Sequence, residues 1–149
     1  MRRVNDVIWT IGTSTRSMEE FVKLLKKYEI EVLVDVRRFP TSRFDHFKKE
    51  SLERHMKGEN IAYVHIEKLG GYRRGGYEKY MESKEFKEGL EKLLKLARGK
   101  KIAIMCAELL FFRCHRRYIS DRLVELGKRV VHIIDERKVY EHRIKTARS

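Results

Sequence analysis

The sequence predicts an α/β fold: a single domain over residues 1–149, with a core at about 7–135, built on a mostly parallel, doubly wound sheet. We expect about five strands, with helices on both faces. Strand-like and helix-like segments alternate along the chain, as they do in parallel sheets. Four strand-like segments are unbroken apolar runs, which is typical of strands covered on both faces. The chain has 149 residues, 42% of them hydrophobic, which is enough for one core.

The first strand is predicted over residues 7–11 and ends at Gly12. A helix is expected from Ser17, because Ser17 and Glu20 have the spacing of a capping box at a helix N-terminus. Phe21, Leu24, Leu25 and Tyr28 then recur at helical spacing. The other elements predicted in this half of the chain are a strand at 32–36, a helix at 48–57 and a strand at 61–66.

The second half of the chain repeats the alternation. We expect a helix over 77–96 with a break near Ser83. The region 67–77 is the longest irregular segment and holds four glycines. The remaining predicted elements are a strand at 102–106, a helix at 116–126 ended by Gly127, a strand at 130–134 and a tail at 137–149 that is helical or frayed.

Composition and charge exclude several classes of protein. Lys and Arg number 35 and Asp and Glu 22, which gives a net charge of +13. No segment approaches the roughly 18 uncharged apolar residues that a membrane-spanning helix needs, so we expect no membrane association. No signal peptide is recognised, which predicts a cytoplasmic protein. The absence of Gln and the abundance of Lys and Glu are typical of a thermophile.

The polar and reactive side chains of this sequence cluster after the predicted strands. In an open parallel sheet, ligands bind beyond the carboxyl ends of the strands, so this clustering predicts a ligand-binding crevice there. We assign anion binding to the hydroxyl or guanidinium groups of Ser14, Arg37, Arg73, Arg116 and Arg117, and catalysis to Asp35, Cys106, Glu108, Cys114 and His115.

These residue types suggest acid–base or nucleophilic chemistry. Glu108 or Asp35 would act as a general base, and His115 would act as an acid or an orienting group. A cysteine among arginines at a helix N-terminus tends toward the thiolate, and His115 would then be its base. The alternative is structural: Asp35 forms a buried ion pair with an arginine, and Cys106 and Cys114 are buried, capping or disulfide-bonded residues.

Two further kinds of site were considered and are not predicted. Cys106, Cys114, His115 and His132 include zinc-ligand types, but their spacing fits no compact zinc site, so we expect no metal and no cofactor. Arg113 follows Cys106 by seven positions with no glycine between them. A phosphate-cradling thiol loop needs flexible residues, so that loop is not expected in its usual form.

Six motifs together resemble the family named domain of unknown function 488, over about residues 7–140. The resemblance implies no established activity. It implies a site formed by Ser14, Asp35, Arg37, Cys106, Glu108, Cys114, His115 and Arg116. The motifs are TIGTSTR at 10–16, VDVRRFP at 34–40, YVH at 63–65, LGG at 69–71, MCAE at 105–108 and CHRR at 114–117.

Three hypotheses about function remain open. The preferred one is a hydrolase- or transferase-like enzyme that binds a small anionic or nucleotide-like ligand in the crevice. The alternative is a basic nucleic-acid-binding module, because residues 72–77 interleave aromatic, cationic and glycine residues in a strongly basic chain. The apolar run at 109–112 would either roof the crevice or form the surface of a homodimer.

Overall fold

The computed structural model describes residues 7–144. Within this range, one six-stranded sheet is combined with five α-helices, and none of those helices is long and apolar enough to cross a bilayer. The elements are β1 Val7–Gly12, α1 Met18–Lys27, β2 Val32–Asp35, α2 Lys49–Gly58, β3 Ala62–His65, α3 Tyr77–Tyr80, α4 Lys84–Ala97, β4 Ile102–Cys106, α5 Arg116–Glu125, β5 Arg129–Ile133 and β6 Val139–Glu141.

The sheet has the strand order β3-β2-β4-β1-β5-β6. The first five strands in this order are parallel to one another, and β6 runs antiparallel to β5. The prediction of a mostly parallel α/β fold is therefore confirmed, with one strand more than expected.

The extra strand corrects the prediction for the tail. Residues 137–149 were expected to be helical or frayed, but Val139–Glu141 pairs with β5. A reverse turn joins β5 to β6. In this turn the backbone N–H groups of Ile134 and Asp135 both donate to the carbonyl of Lys138. The rest of the predicted tail, residues 145–149, lies outside the described residues.

The alternation of side chains along the strands divides the core into two layers. Val32 and Val34 pack on the side of α4 and α5, and Leu33 packs on the side of α1 and α2. The capping box of α1 forms as predicted: the side chains of Ser17 and Glu20 each accept from the other's backbone N–H, at 3.0 Å. Helices therefore cover both faces of the sheet.

The switch point of the sheet lies between the neighbouring strands β1 and β4, because the connections that leave these two strands run in opposite directions. From β1 the chain crosses by α1 to β2 on one side, and from β4 it crosses by α5 to β5 on the other. Open α/β sheets bind ligands at such a switch point. The loop after β4 passes directly over Gly12, where a Cβ would overlap the carbonyl oxygen of Glu108, so only glycine fits.

Candidate functional site

A hollow of about 620 Å³ lies beyond the carboxyl ends of β2 and β4, and we call it the central hollow. The loops after β2 and β3, the end of β4 and the residues before α5 all contribute to its lining. It brings together five of the residues selected from the sequence, which are Arg37, Cys106, Glu108, Cys114 and His115.

A second hollow of about 490 Å³ lies beside the first and shares Glu108 and Arg113 with it. It is lined by hydroxyl groups from the loops after β1 and β2, and Ser14 is among them. Ser14 has a φ of 48°, a left-handed conformation that is uncommon outside glycine. Of the residues selected from the sequence, Ser14 and Glu108 therefore meet in this second hollow.

Asp35 and Arg37 form a buried ion pair in which both carboxylate oxygens of Asp35 accept hydrogen bonds. The Asp35 carboxylate accepts from Arg37 Nε at 2.9 Å, from Arg37 Nη2 at 2.7 Å and from the Tyr63 hydroxyl at 2.5 Å. Burial alone would lower the pKa of Arg37, but the hydrogen bonds and charge of Asp35 outweigh it and raise the pKa. Arg37 also donates to the carbonyls of Thr41 and Phe47. The geometry makes this pair an anchor for the loop after β2, with no acceptor left on Asp35 for a substrate proton.

Arg73 and Arg117 line neither hollow. Arg73 donates to the carbonyl of Gly70 and to the Glu67 carboxylate, and it lies over the ring of Tyr80. Arg117 is exposed and donates to the hydroxyl of Tyr118. The side chains of these two arginines are therefore engaged outside the hollows.

Cys106 and Cys114 are joined in a disulfide at the floor of the central hollow. Cys106 is the last residue of β4 and is 2% exposed, whereas Cys114 is half-buried just before α5. The Cys114 sulfur accepts the backbone N–H of Arg116 at 3.4 Å and lies 3.6 Å from Nδ1 of His115. The sulfur pair therefore links the end of a central strand to the start of the next helix.

His115 is held in one tautomer by a backbone carbonyl. Its Nε2 lies 2.7 Å from the carbonyl oxygen of Val36, and a carbonyl only accepts, so Nε2 carries the hydrogen. The lone pair of Nδ1 then faces the sulfur of Cys114. The pKa of His115 is lowered to about 4, mainly by burial; the bond to Val36 opposes this, and the charges of nearby Arg116 and Arg73 contribute to it. The ring is therefore neutral near pH 7, with Nδ1 available as a proton acceptor.

Arg116 supports the loop over the switch point from beneath. It is 1% exposed, and its guanidinium donates to the Thr10 hydroxyl at 3.0 Å and to the carbonyl of Glu108 at 2.6 Å. Burial lowers the pKa of Arg116 to about 10, and the charge of Arg16 contributes. Within residues 7–144, no carboxylate lies within ion-pair distance of Arg116. Arg116 therefore fixes the backbone that carries Glu108, and it lines neither hollow.

A chain of hydrogen bonds continues from Arg116 to the surface. The Thr10 hydroxyl lies 2.5 Å from His132 Nδ1, His132 Nε2 lies 2.8 Å from His142 Nδ1, and His142 Nε2 lies 2.6 Å from the Asp121 carboxylate. With both rings neutral, the Thr10 hydroxyl donates to His132 Nδ1, His132 Nε2 donates to His142 Nδ1, and His142 Nε2 donates to the Asp121 carboxylate. Burial lowers the pKa of His132 to about 2, and the charges of His142 and Arg116 add to the effect.

Sequence reasoning missed most of this chain. It considered His132 for its metal-ligand type, and His142 and Asp121 were not singled out. The signal was the strand β6, because pairing of β5 with β6 brings His142 back to His132. With the tail interpreted as helical or frayed, that contact was not foreseeable.

The exposed aromatic residues at the central hollow were also missed as a group. Phe39 is 60% exposed and Tyr72 is 87% exposed, and both line the hollow. The apolar run at 109–112 is split: Phe111 stacks on His132 with ring centroids 3.8 Å apart, whereas Phe112 is 51% exposed. Within the described residues, no group of three or more His, Cys, Asp or Glu is arranged to hold a metal ion.

Fold and site together define a class of α/β protein whose open sheet carries a polar hollow beside its switch point. The family model described as domain of unknown function DUF488 matches residues 17–123, and the chain belongs to this family. The matched range includes most residues of both hollows and ends within α5. No curated protein and no solved structure matches the chain.

Proposed function

We propose that this protein is an enzyme of the hydrolase or transferase type that binds a small anionic, nucleotide-like ligand in the central hollow. One observation carries the proposal. A single hollow joins a cysteine–histidine pair and the carboxylate of Glu108 to Arg113, beside two exposed aromatic rings.

The charges around the hollow support an anionic ligand. Arg113 lines it and is exposed, and no ion pair involves Arg113 within the described residues. A guanidinium binds a phosphate group through two parallel hydrogen bonds, which makes arginine the usual phosphate ligand where geometry matters. Arg38 contributes a second guanidinium to the same lining. We therefore assign the phosphate of the ligand to Arg113, with Arg38 as an auxiliary cation.

The aromatic rings support a base on the same ligand. Stacking of a nucleic-acid base on an aromatic side chain contributes about 1–3 kcal/mol and works with every base. Phe39 and Tyr72 lie on the loops after β2 and β3, and both rings are open to solvent. The guanidinium of Arg38 lies 5.2 Å from the ring centre of Phe39, which places cation and stacking surface together.

The reactive groups support group transfer once the thiol of Cys114 is free. The thiol proton would pass to Nδ1 of His115, and the thiolate would attack the electrophilic atom of the ligand. His115 would then return the proton to the leaving group. Glu108, exposed at the edge of the hollow, would deprotonate the water or alcohol that releases the bound group and frees Cys114.

The test is calorimetric titration of the reduced protein with nucleoside mono- and diphosphates. Arg113→Gln should weaken binding roughly 10- to 100-fold, the value of one lost hydrogen bond to a charged group. Arg98→Gln is the matched control, because Arg98 is exposed after α4, at the opposite edge of the sheet. Absence of nucleotide binding, or equal losses from both variants, would contradict the proposal.

A second candidate function, binding of single-stranded nucleic acid, has its own supporting observation. Tyr72 is 87% exposed, and two exposed arginines, Arg43 and Arg74, lie in the loops on either side of the hollow. A net charge of +13 favours contacts to phosphates. An enzyme that acts on nucleic acid would have both sets of features.

A further inference from the structure

We propose that Cys106 and Cys114 are a reversible dithiol–disulfide pair that exchanges with small disulfides bearing carboxylate groups. The two sulfurs come from different elements and meet at the floor of the central hollow. The proposal uses the same hollow as the proposed function but does not depend on nucleotide binding or on group transfer.

The surroundings of the two sulfurs differ and set the order of events. Cys106 is 2% exposed at the end of β4, in the middle of the sheet. Cys114 is half-buried and lines the hollow. An external disulfide therefore reaches Cys114 first, and Cys106 attacks the Cys114 sulfur only after that sulfur carries the mixed disulfide.

The groups around Cys114 favour its thiolate and offer a path for its proton. Its sulfur accepts the backbone N–H of Arg116 at 3.4 Å, within the first turn of α5, a helix of ten residues. The positive end of a helix dipole and nearby arginines favour a thiolate. The neutral Nδ1 of His115, at 3.6 Å, accepts the proton that the thiol loses.

The exchange balances in two steps. In the first, the Cys114 thiolate attacks one sulfur of the small disulfide, forms a mixed disulfide and releases the other half as a thiolate, which takes up a proton. In the second, the Cys106 thiol loses its proton and attacks the Cys114 sulfur, so that the remaining half leaves as a thiol. Two electrons pass from the protein to the small disulfide, and an excess of thiol reverses both steps.

The charges of the hollow select the class of disulfide. Arg38 and Arg113 line the same hollow as the sulfurs. Among the described residues, Glu108 is the only carboxylate in that lining. A volume of about 620 Å³ lies within the usual range for small-molecule sites. A disulfide with carboxylate groups is therefore favoured over a neutral or cationic one.

The experiment uses the full chain, reduced and then titrated with oxidised glutathione or with the cationic disulfide cystamine. We expect both free thiols to disappear together, with an intact mass lower by two hydrogen atoms. Oxidised glutathione should react about 10-fold faster than cystamine, and Arg113→Gln should reduce that preference whereas Arg98→Gln should not. Cys106→Ser should accumulate glutathione on Cys114, and Cys114→Ser should leave Cys106 unmodified.

A measurement on the parent protein tests the proposal even if one of the variants fails to fold. Limited alkylation of the reduced protein should label Cys114 before Cys106. Two thiols that stay free in the folded protein under excess oxidised glutathione, or labelling of Cys106 first, would overturn the proposal. Equal rates with cystamine would overturn the assigned substrate class. Nucleotide titration of the same reduced samples tests the proposed function independently, because disulfide exchange does not require nucleotide binding.

Discussion

At the scale of single residues, the structure separates side chains that line the hollows from side chains that are bound within the fold. Asp35 was one of two candidates for a general base, because a carboxylate inside an apolar strand is costly unless it has a function or a partner. The structure gives it Arg37 and Tyr63 as partners. Sequence reasoning reached both alternatives but could not choose, because Tyr63 lies 28 positions away in the chain. Glu108, the other candidate, is exposed and lines both hollows.

The first prediction concerns the buried pair. Asp35→Asn should lower the free energy of unfolding by about 3–5 kcal/mol, because it leaves the Arg37 guanidinium buried without a counter-charge. Tyr63→Phe should cost less, about 1.5–3 kcal/mol, because it removes a single hydrogen bond to a charged group. Urea denaturation, monitored by circular dichroism, measures the free energy of unfolding of both variants. An Asp35→Asn protein as stable as the parent would show that the pair does not anchor the loop.

The second prediction concerns Glu108. Its side chain is exposed, so Glu108→Gln should change the free energy of unfolding by no more than about 0.5 kcal/mol. Turnover of the nucleotide found by titration should fall roughly 10²- to 10⁴-fold, the usual effect of losing a general base. Thermal denaturation and initial rates are measured on the same preparation. A large loss of stability with retained turnover would assign Glu108 a structural role instead.

At the scale of elements, the sequence predicted most boundaries to within one or two residues. The break near Ser83 is real, because its hydroxyl accepts the backbone N–H of Phe86 and begins α4. The failure was β6, which has three residues, too few to show a period. So short a strand forms through its contacts with the neighbouring strand. Arg129 on β5 donates two hydrogen bonds to the Glu141 carboxylate on β6, at 2.7 and 2.9 Å.

The third prediction concerns the hairpin of β5 and β6, and the start of α5. His132 and His115 have folded-state pKa values of about 2 and about 4, below the roughly 6.5 of an unfolded histidine. Below pH 6.5 the unfolded chain binds protons that the folded chain does not, so stability present above pH 6.5 is lost as the pH falls. The loss should approach about 1.4 kcal/mol per pH unit for each histidine.

Urea denaturation between pH 6.5 and 5 checks this slope, in a window above the main titration of carboxylates. His132→Gln should remove about half of the slope. His55→Gln is the control for replacing a histidine, because His55 is exposed on α2. A parent protein whose stability is flat across this range would contradict the assignment of two neutral buried histidines.

At the scale of the whole molecule, the sheet decides which loops meet. The sequence indicated that the site lies at the carboxyl ends of the strands, because the polar residues cluster there. It could not indicate the strand order, and so it could not show that the loops after β2 and β3 meet the residues before α5 in one hollow. Arg73 and Arg117 were assigned to the site for that reason, although their side chains bind elsewhere.

The fourth prediction concerns the net charge of +13. If the protein binds single-stranded nucleic acid, retention on a single-stranded DNA column should be strong at low salt and fall steeply as salt rises. Tyr72→Ala should weaken binding by about 1–3 kcal/mol through lost stacking. Tyr140→Ala is the matched control, because Tyr140 is 47% exposed on β6. Absence of retention at low salt would remove the second candidate function.

The central claim, that the hollow at the carboxyl ends of the strands binds a nucleotide-like anion, is tested most directly by amide chemical shifts. A nucleoside monophosphate is titrated into the isotope-labelled, reduced protein. Shifts should concentrate in residues 37–43, 71–72 and 106–115, with no change at 98–100 on the opposite edge of the sheet. Shifts confined to other surfaces, or none at saturating nucleotide, would contradict the account.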